Sequence, residues 1–197
     1  MIAIIEGCGV NISSVQFALT RLGYQSVLTT DLKTIKSASH VILPGVGTAN
    51  YAMQQLKTAG LIELIRSLQQ PILCICLGMQ LLFEFSEEGN TECLGVIPGK
   101  VKLIPAVPGL PIPHMGWNQL QIVDTQSPLV KDISNDSHVY FVHSYSAEVT
   151  SATLATTNYG KIFSAMVRQR NFYGMQFHPE RSGKIGKRFL ENFLKLN

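Results

Sequence analysis

The sequence predicts an α/β fold: a mostly parallel central sheet flanked by helices, with an antiparallel β extension in its second half. Three observations predict it. Short apolar runs of strand length alternate with helix-like stretches through the first half of the chain, the pattern left by parallel strands buried on both faces. Strand-like segments then follow one another directly, separated by hairpin-style turns such as Asn158-Tyr159-Gly160, as in antiparallel sheet. Finally, 197 residues with 46% hydrophobic and 15% charged content fit one domain with a sizeable core, spanning residues 1–197.

The elements follow in order. Ile2-Ala3-Ile4-Ile5 is a first buried strand. Asn11 has the chemistry of an N-cap, and Ile12, Val15, Ala18, Leu19 and Leu22 share one helical face before Gly23 stops the helix. Val27-Leu28 and Val41-Ile42-Leu43 read as further strands. Residues 51–68 carry helical patterns interrupted at Gly60. Residues 72–75 are strand, and a helix is expected from Met79 to about Phe85. Prolines 98, 105, 108, 111 and 113, with Pro128 beyond, predict a long surface connection over residues 98–113. Strands are expected at 119–123, 138–144, 153–156, 163–167 and 172–176. An amphipathic helix closes the chain, with Ile185, Phe189, Leu190, Phe193 and Leu194 facing the core.

Composition excludes several classes of function. A net charge of +3, scattered rather than clustered, and aromatics without a repeated stacking pattern argue against nucleic acid. No apolar segment approaches the ~20 residues that span a bilayer. The first residues, Met1-Ile2-Ala3-Ile4-Ile5-Glu6, lack the basic region and long apolar core of a signal peptide. The four cysteines have neither metal-like nor secreted spacing, which suits a reducing cytoplasm, and all four are expected as thiols. No His, Cys, Asp or Glu group has metal-ligand spacing. Neither a metal nor a cofactor is expected.

The chemistry concentrates at Cys76. It stands where the apolar run Ile72-Leu73-Cys74-Ile75 meets Gly78 and a helix-like stretch. A nucleophile between a buried strand and a helix sits on a strained turn that small neighbours allow to close, and Gly78 meets that need. Backbone N–H groups at the start of the helix favour thiolate there. A hundred residues on, Gln176-Phe177-His178-Pro179-Glu180 supplies a base and a carboxylate to orient it. His178 stands apart from His40, His114, His138 and His143 because a carboxylate follows two residues later. His143, within a strand-like run, has a structural or substrate-lining role.

Cys76-Leu77-Gly78-Met79-Gln80 and His178-Pro179-Glu180 resemble the nucleophile and base motifs of the class I, triad-type glutamine amidotransferases, whose fold is flavodoxin-like. The resemblance runs over essentially the whole chain. It is closer still to the branch serving as glutaminase subunit of imidazole glycerol phosphate synthase. The added matches are Leu43-Pro44-Gly45-Val46-Gly47-Thr48, Pro113-His114-Met115-Gly116-Trp117-Asn118, Tyr140-Phe141-Val142-His143-Ser144-Tyr145 and Glu180-Arg181-Ser182-Gly183-Lys184. Two positions depart from the family pattern. Cys74 stands where glycine is common, and Cys8-Gly9-Val10-Asn11 stands where Gly-x-Gly-Asn is usual.

The resemblance implies a mechanism and a partner. Cys76 attacks the glutamine side-chain amide, His178 takes up the thiol proton or stabilises a preformed thiolate, and Glu180 holds the imidazole. The Leu77 N–H, as the residue after the nucleophile, and an N–H of Gly45 or Val46 would form the oxyanion hole. The glycines of that loop also permit a peptide flip that gates the hole. Gln80 and the backbone around Ser144 and Tyr145 would grip glutamine. Released ammonia would pass to a (β/α)8-barrel cyclase subunit in a heterodimer, with Asn11, Trp117, Tyr140, Arg181 and Lys184 as interface or signalling contacts. Gly116 and Asn118, flanking Trp117, favour a loop there. The competing readings are a glutaminase serving a different synthase, a non-catalytic subunit, and a stand-alone cysteine hydrolase.

Overall fold

The computed structural model describes residues 1–6 and 12–197. Its first half is built from β1 (Ile2–Ile5), α1 (Ile12–Arg21), β2 (Ser26–Thr29), α2 (Leu32–Ser37), β3 (His40–Gly45), α3 (Ala49–Thr58), α4 (Leu61–Ser67), β4 (Ile72–Cys76) and α5 (Leu77–Gln80). There follow β5 (Phe83–Ser86), β6 (Thr91–Glu92), β7 (Ile97–Leu103), β8 (His114–Gln119), β9 (Gln121–Ile122), β10 (His138–His143) and β11 (Tyr145–Ala147). The chain ends with β12 (Thr153–Asn158), β13 (Ile162–Gln169), β14 (Phe172–Met175) and α6 (Gly183–Phe193).

The main sheet runs β2-β1-β3-β4-β14-β13-β12-β9. Its members from β2 to β14 are parallel, and those from β14 to β9 are antiparallel. This is the expected mostly parallel sheet with an antiparallel extension. Alternation along the parallel strands divides the core. Ala3, Ile5, Val41, Leu43, Ile72 and Cys74 pack with Leu56 of α3 and Leu64 and Ile65 of α4. Ile2, Ile4, Ile42, Leu73 and Ile75 pack with Leu19 of α1 and Phe189 and Phe193 of α6. Each such phenylalanine, fully buried, contributes about 2–3 kcal/mol of apolar burial. Two smaller sheets, β10-β8 and β11-β7-β5-β6, stand beside the main one.

The expected break at Gly60 holds for a visible reason. Gly60 adopts the left-handed conformation, φ 67°, and splits the 51–68 stretch into α3 and α4. Asp31 caps α2, accepting from the Thr34 N–H at 2.8 Å, an N-cap the sequence reading passed over.

Four expectations are corrected. The helix from Met79 to about Phe85 is only α5, one turn long, because Phe83 and Phe85 continue as β5, pairing with β7. A short apolar run fits strand or helix alike, and sheet partners decided it. The proline-rich 98–113 connection starts later, since Pro98 lies within β7. The strand expected at 119–123 begins at His114 and is followed by the short β9. Trp117 is therefore on a strand opposite Tyr140, not in a loop. Gly116 takes a positive φ of 136° within that strand, a conformation that favours glycine.

Candidate active site

Cys76 closes β4 in the middle of the main sheet, at φ 55° and ψ −112°. That left-handed conformation costs a non-glycine residue of order 1–3 kcal/mol, and it redirects the side chain. Regular alternation would place Cys76 with Ile72 and Cys74 on the α3–α4 side. It packs instead with the α1–α6 side, among Ile75, Phe141 and Phe177. The turn closes because two glycines let backbones touch. A Cβ on Gly78 would strike the Leu43 carbonyl oxygen. One on Gly45, which pairs with Cys76 in register, would lie 2.8 Å from the Leu77 Cβ.

β14 runs parallel to β4 on its other side, and the chain leaving it delivers Gln176 and His178 to the same end. The His178 N–H bonds to the Tyr140 carbonyl at 2.9 Å, and Ser182 Oγ donates to the His178 carbonyl at 2.7 Å. The ring is thereby fixed, with Nδ1 2.8 Å from Glu180 Oε1 and both side chains almost fully buried. Nε2 is buried and makes no aligned hydrogen bond, so it is open to the sulfur and to a reacting group. Burial alone pushes the imidazole down. The Cys76 sulfur and the Glu180 carboxylate outweigh burial and raise its pKa to about 10. A buried imidazolium between two acceptors is poised to give up a proton to a leaving group.

Cys76 opens onto a cavity of about 430 Å³ that Val46, Gly47, Leu77, Gln80, Glu88, Pro113, Val142, His143, Ser144, Tyr145, His178 and Arg181 also line. A larger cavity, about 860 Å³, lies between α3, α4 and the 89–93 turn, remote from the nucleophile. The smaller one is the candidate site, because the perturbed histidine and strained cysteine face it. Among the described residues, no group of three His, Cys, Asp or Glu side chains is placed to hold a metal ion.

The structure brings most of the sequence-derived residues together. Cys76, His178, Leu77, Val46, Gln80, Ser144 and Tyr145 share the cavity, and Gly45 lies beside it against Leu77. Gln80 Nε2 is committed, donating to the Tyr145 carbonyl at 2.8 Å and to Gln176 Oε1 at 2.9 Å. Its oxygen alone remains to meet a ligand. Among the interface candidates, Trp117 is 56% exposed, its ring packs edge-on to Tyr140, and the Arg181 guanidinium lies 4.9 Å over the Tyr140 ring. Arg181 also reaches the cavity. Lys184 is exposed and lines a separate groove with Arg21 and Lys187. Asn11 and the Cys8–Asn11 departure lie outside the described residues.

Sequence reasoning missed Glu88 and Gln176. Glu88 is the cavity's one carboxylate among the lining residues, and it accepts from the Ala49 N–H at 2.8 Å. Burial raises its pKa. Gln176 is fully buried beside Cys76. Its place in the His-Pro-Glu motif was the available signal.

A family model for class-I glutamine amidotransferases matches residues 7–196. The chain belongs to this family. Imidazole glycerol phosphate synthase subunit HisH of Haemophilus influenzae is 55% identical over 98% of this chain and 96% of its own length. The Pasteurella multocida subunit HisH is 52% identical over 98% and 97%, and Legionella pneumophila HisH 2 is 51% identical over 100% and 98%. Among solved structures, a glutamine amidotransferase matches with TM-score 0.75 at 17% identity, covering 98% of this chain and 97% of that one. The glutaminase domain of Trypanosoma brucei CTPS matches with TM-score 0.69 at 17% identity, covering 100% and 94%. At that identity the solved structures speak to the amidotransferase fold alone. No helix of the described residues is long and apolar enough to cross a membrane.

Proposed function

We propose that this class-I amidotransferase is the glutaminase subunit of an imidazole glycerol phosphate synthase, acting in histidine biosynthesis in the cytoplasm. One observation carries the chemistry: a strained cysteine, a buried imidazole raised by two acceptors, and a carboxylate 2.8 Å from that imidazole. The biological assignment is supported by relatives of at least 51% identity over nearly their whole length that share one name.

The Cys76 sulfur attacks the side-chain carbonyl carbon of glutamine, forming a C–S bond and a tetrahedral oxyanion. The Leu77 N–H and an N–H of Gly45 or Val46 receive the oxyanion, each donor contributing on the order of 3 kcal/mol. His178 gives its proton to the amide nitrogen, the C–N bond breaks, and ammonia leaves behind a γ-glutamyl thioester. Water, deprotonated by the now neutral His178, attacks the thioester. Glutamate is released and the thiolate–imidazolium pair is restored. Glu180 holds the imidazole ring throughout.

Glutamine is gripped by complementary charge. The Glu88 carboxylate and the remaining Gln80 oxygen face the α-ammonium, and the backbone around Ser144 and Tyr145 receives the α-carboxylate. With glycines on both sides of Val46, Gly47 at a positive φ of 96°, the Gly45–Val46 peptide has freedom to turn the Val46 N–H in or out of the oxyanion hole. Gly45 is pinned in register against Cys76. Gating therefore lies in the Gly45–Val46 peptide, which carries the Val46 N–H, and responds to the synthase partner.

Free ammonia is mostly protonated near neutral pH and loses its nucleophilicity. Ammonia is therefore handed to a docked synthase through a sheltered path; by the family resemblance that partner is a (β/α)8-barrel cyclase, docking over the Trp117–Tyr140–Arg181 surface with Lys184 beside it. The test is synthesis by the reconstituted pair with wild type or Cys76→Ala, supplied with glutamine or an ammonium salt. Cys76→Ala is expected to lose glutamine-dependent synthesis by at least about 10³-fold while synthesis from ammonium persists. Retained glutamine hydrolysis by Cys76→Ala would sink the mechanism.

A further inference from the structure

We propose that Gln176 is a positioning residue for the nucleophile: its side-chain amide, locked in one orientation, donates a hydrogen bond to the Cys76 sulfur and favours thiolate over thiol. This rests on the reading of Cys76 as the nucleophile.

The orientation of that amide follows from a backbone group that can only accept. The Tyr145 carbonyl lies 2.8 Å from one terminal atom of Gln80, which must be its nitrogen. The same nitrogen lies 2.9 Å from a terminal atom of Gln176. That atom must accept, so it is the oxygen. The other end of Gln176, 3.7 Å from the Cys76 sulfur, is then its NH2 group. No flip of either amide satisfies the same contacts.

The far side of the Tyr145 carbonyl repeats the logic. Its second hydrogen bond comes from His143 Nδ1 at 2.7 Å, which leaves His143 Nε2 as an acceptor for His114 Nδ1 at 3.0 Å. His114 Nε2 in turn accepts from Asn118 Nδ2 at 3.3 Å. Asn118 is oriented independently, because Nδ2 also donates to the Asn158 carbonyl and Oδ1 accepts from the Gln119 N–H. Backbone groups of Tyr145, Asn158 and Gln119 thus fix the orientation of every side chain in the network, which converges from both sides on the Tyr145 carbonyl. Both histidines are neutral in it, held low by burial at about 4 for His114 and about 3 for His143.

The arrangement discriminates between the two states of the sulfur. A thiol can donate to the Val142 carbonyl, 3.7 Å away. A thiolate gains nothing from that carbonyl and depends on donors. Gln176 is a donor from a fully buried position, where a hydrogen bond to a charged acceptor is stronger than in water. A residue present for packing alone would have no need of a fixed amide polarity.

The experiment measures carboxamidomethylation of Cys76 by iodoacetamide across pH 5–10, quantified on the Cys76 peptide. Glutaminase kcat, KM for glutamine and the unfolding midpoint are measured in parallel. Gln176→Met keeps length and burial but removes the donor. Gln80→Met leaves Gln176 in place but removes its lock. Both variants are expected to move the alkylation curve to higher pH, Gln176→Met by about one pH unit, which is about tenfold less thiolate at a given pH. For Gln176→Met, kcat should fall about tenfold with KM changed by less than about threefold. An unchanged curve in folded Gln176→Met overturns the proposal. If that variant does not fold, an unchanged curve in Gln80→Met overturns it. Glutamine hydrolysis by protein fully alkylated at Cys76 would instead overturn the nucleophile assignment itself.

Discussion

The two walls of the Cys76 cavity are built on different principles. On one wall β3, β4 and α5 meet backbone to backbone, with Gly45 opposite Cys76 and Gly78 against the Leu43 carbonyl. On the other wall, β8 and β10 pair His114 with His143 in register, and hydrogen bonds of fixed direction join them to Tyr145. The first wall works by exclusion: no extra atom fits, so the nucleophile has one place to go. The second works by polarity, and its integrity depends on which nitrogen carries a proton. Steric placement is insensitive to pH, whereas a hydrogen-bond chain through neutral imidazoles is not.

The comparison breaks most severely at Gly78. Gly78→Ala drives a methyl group into backbone that cannot move aside as a side chain would. Glutaminase kcat/KM is expected to fall at least about 100-fold and stability by about 2–3 kcal/mol, read by steady-state kinetics and urea unfolding. Near-native activity would show that the close backbone approach is dispensable.

Acid tests the opposite wall. His114 and His143 have folded-state pKa values lowered by burial, to about 4 and about 3. The unfolded chain therefore binds more protons than the native one from about pH 6.5 downwards. Their contribution to stability is present above that pH and is lost as pH falls toward 4 and then 3. The urea midpoint should drop between about pH 6.5 and pH 5, below the range in which the raised His178 acts in the opposite sense. In His143→Gln, with one titrating imidazole fewer, that slope should be shallower. Equal slopes in the two proteins would remove His143 from the acid response.

The smallest effect is expected at Cys74. It is fully buried on β4, opposite Leu43 and Gly174, and its side chain packs with the α3–α4 cluster, away from the cavity. Cys74→Ala should cost about 1 kcal/mol and leave kcat within about twofold. A large loss of activity would mean that the second thiol, and not only Gly78, shapes the elbow.

Much of this molecule was legible in the chain. Periodicity marked the parallel strands and the terminal helix, because a strand buried on both faces and a helix buried on one leave different spacings of apolar residues. Motif chemistry marked Cys76, His178 and Glu180. Other features were not legible locally. Phe83 and Phe85 fit helix or strand equally until β7 supplied a partner. Gly116 and Asn118 looked like turn residues, yet pairing with β10 made Trp117 part of a strand. Glu88 is a lone carboxylate in sequence and becomes part of the cavity only when the β5–β6 turn reaches the start of α3.

By itself, the sequence determined the fold class and pointed to Cys76, His178 and Glu180 as the proposed nucleophile, base and carboxylate, because these readings depend on residue type within short motifs. Tertiary structure decided the direction in which the chemistry points. Positive φ at Cys76 moved its side chain from the α3–α4 side of the sheet to the α1–α6 side, where His178 stands. The Tyr145 carbonyl then set the polarity of Gln80, Gln176, His143 and His114. Residue type offers donors and acceptors in both orientations, and only the packed structure, with backbone carbonyls that cannot donate, selects between them.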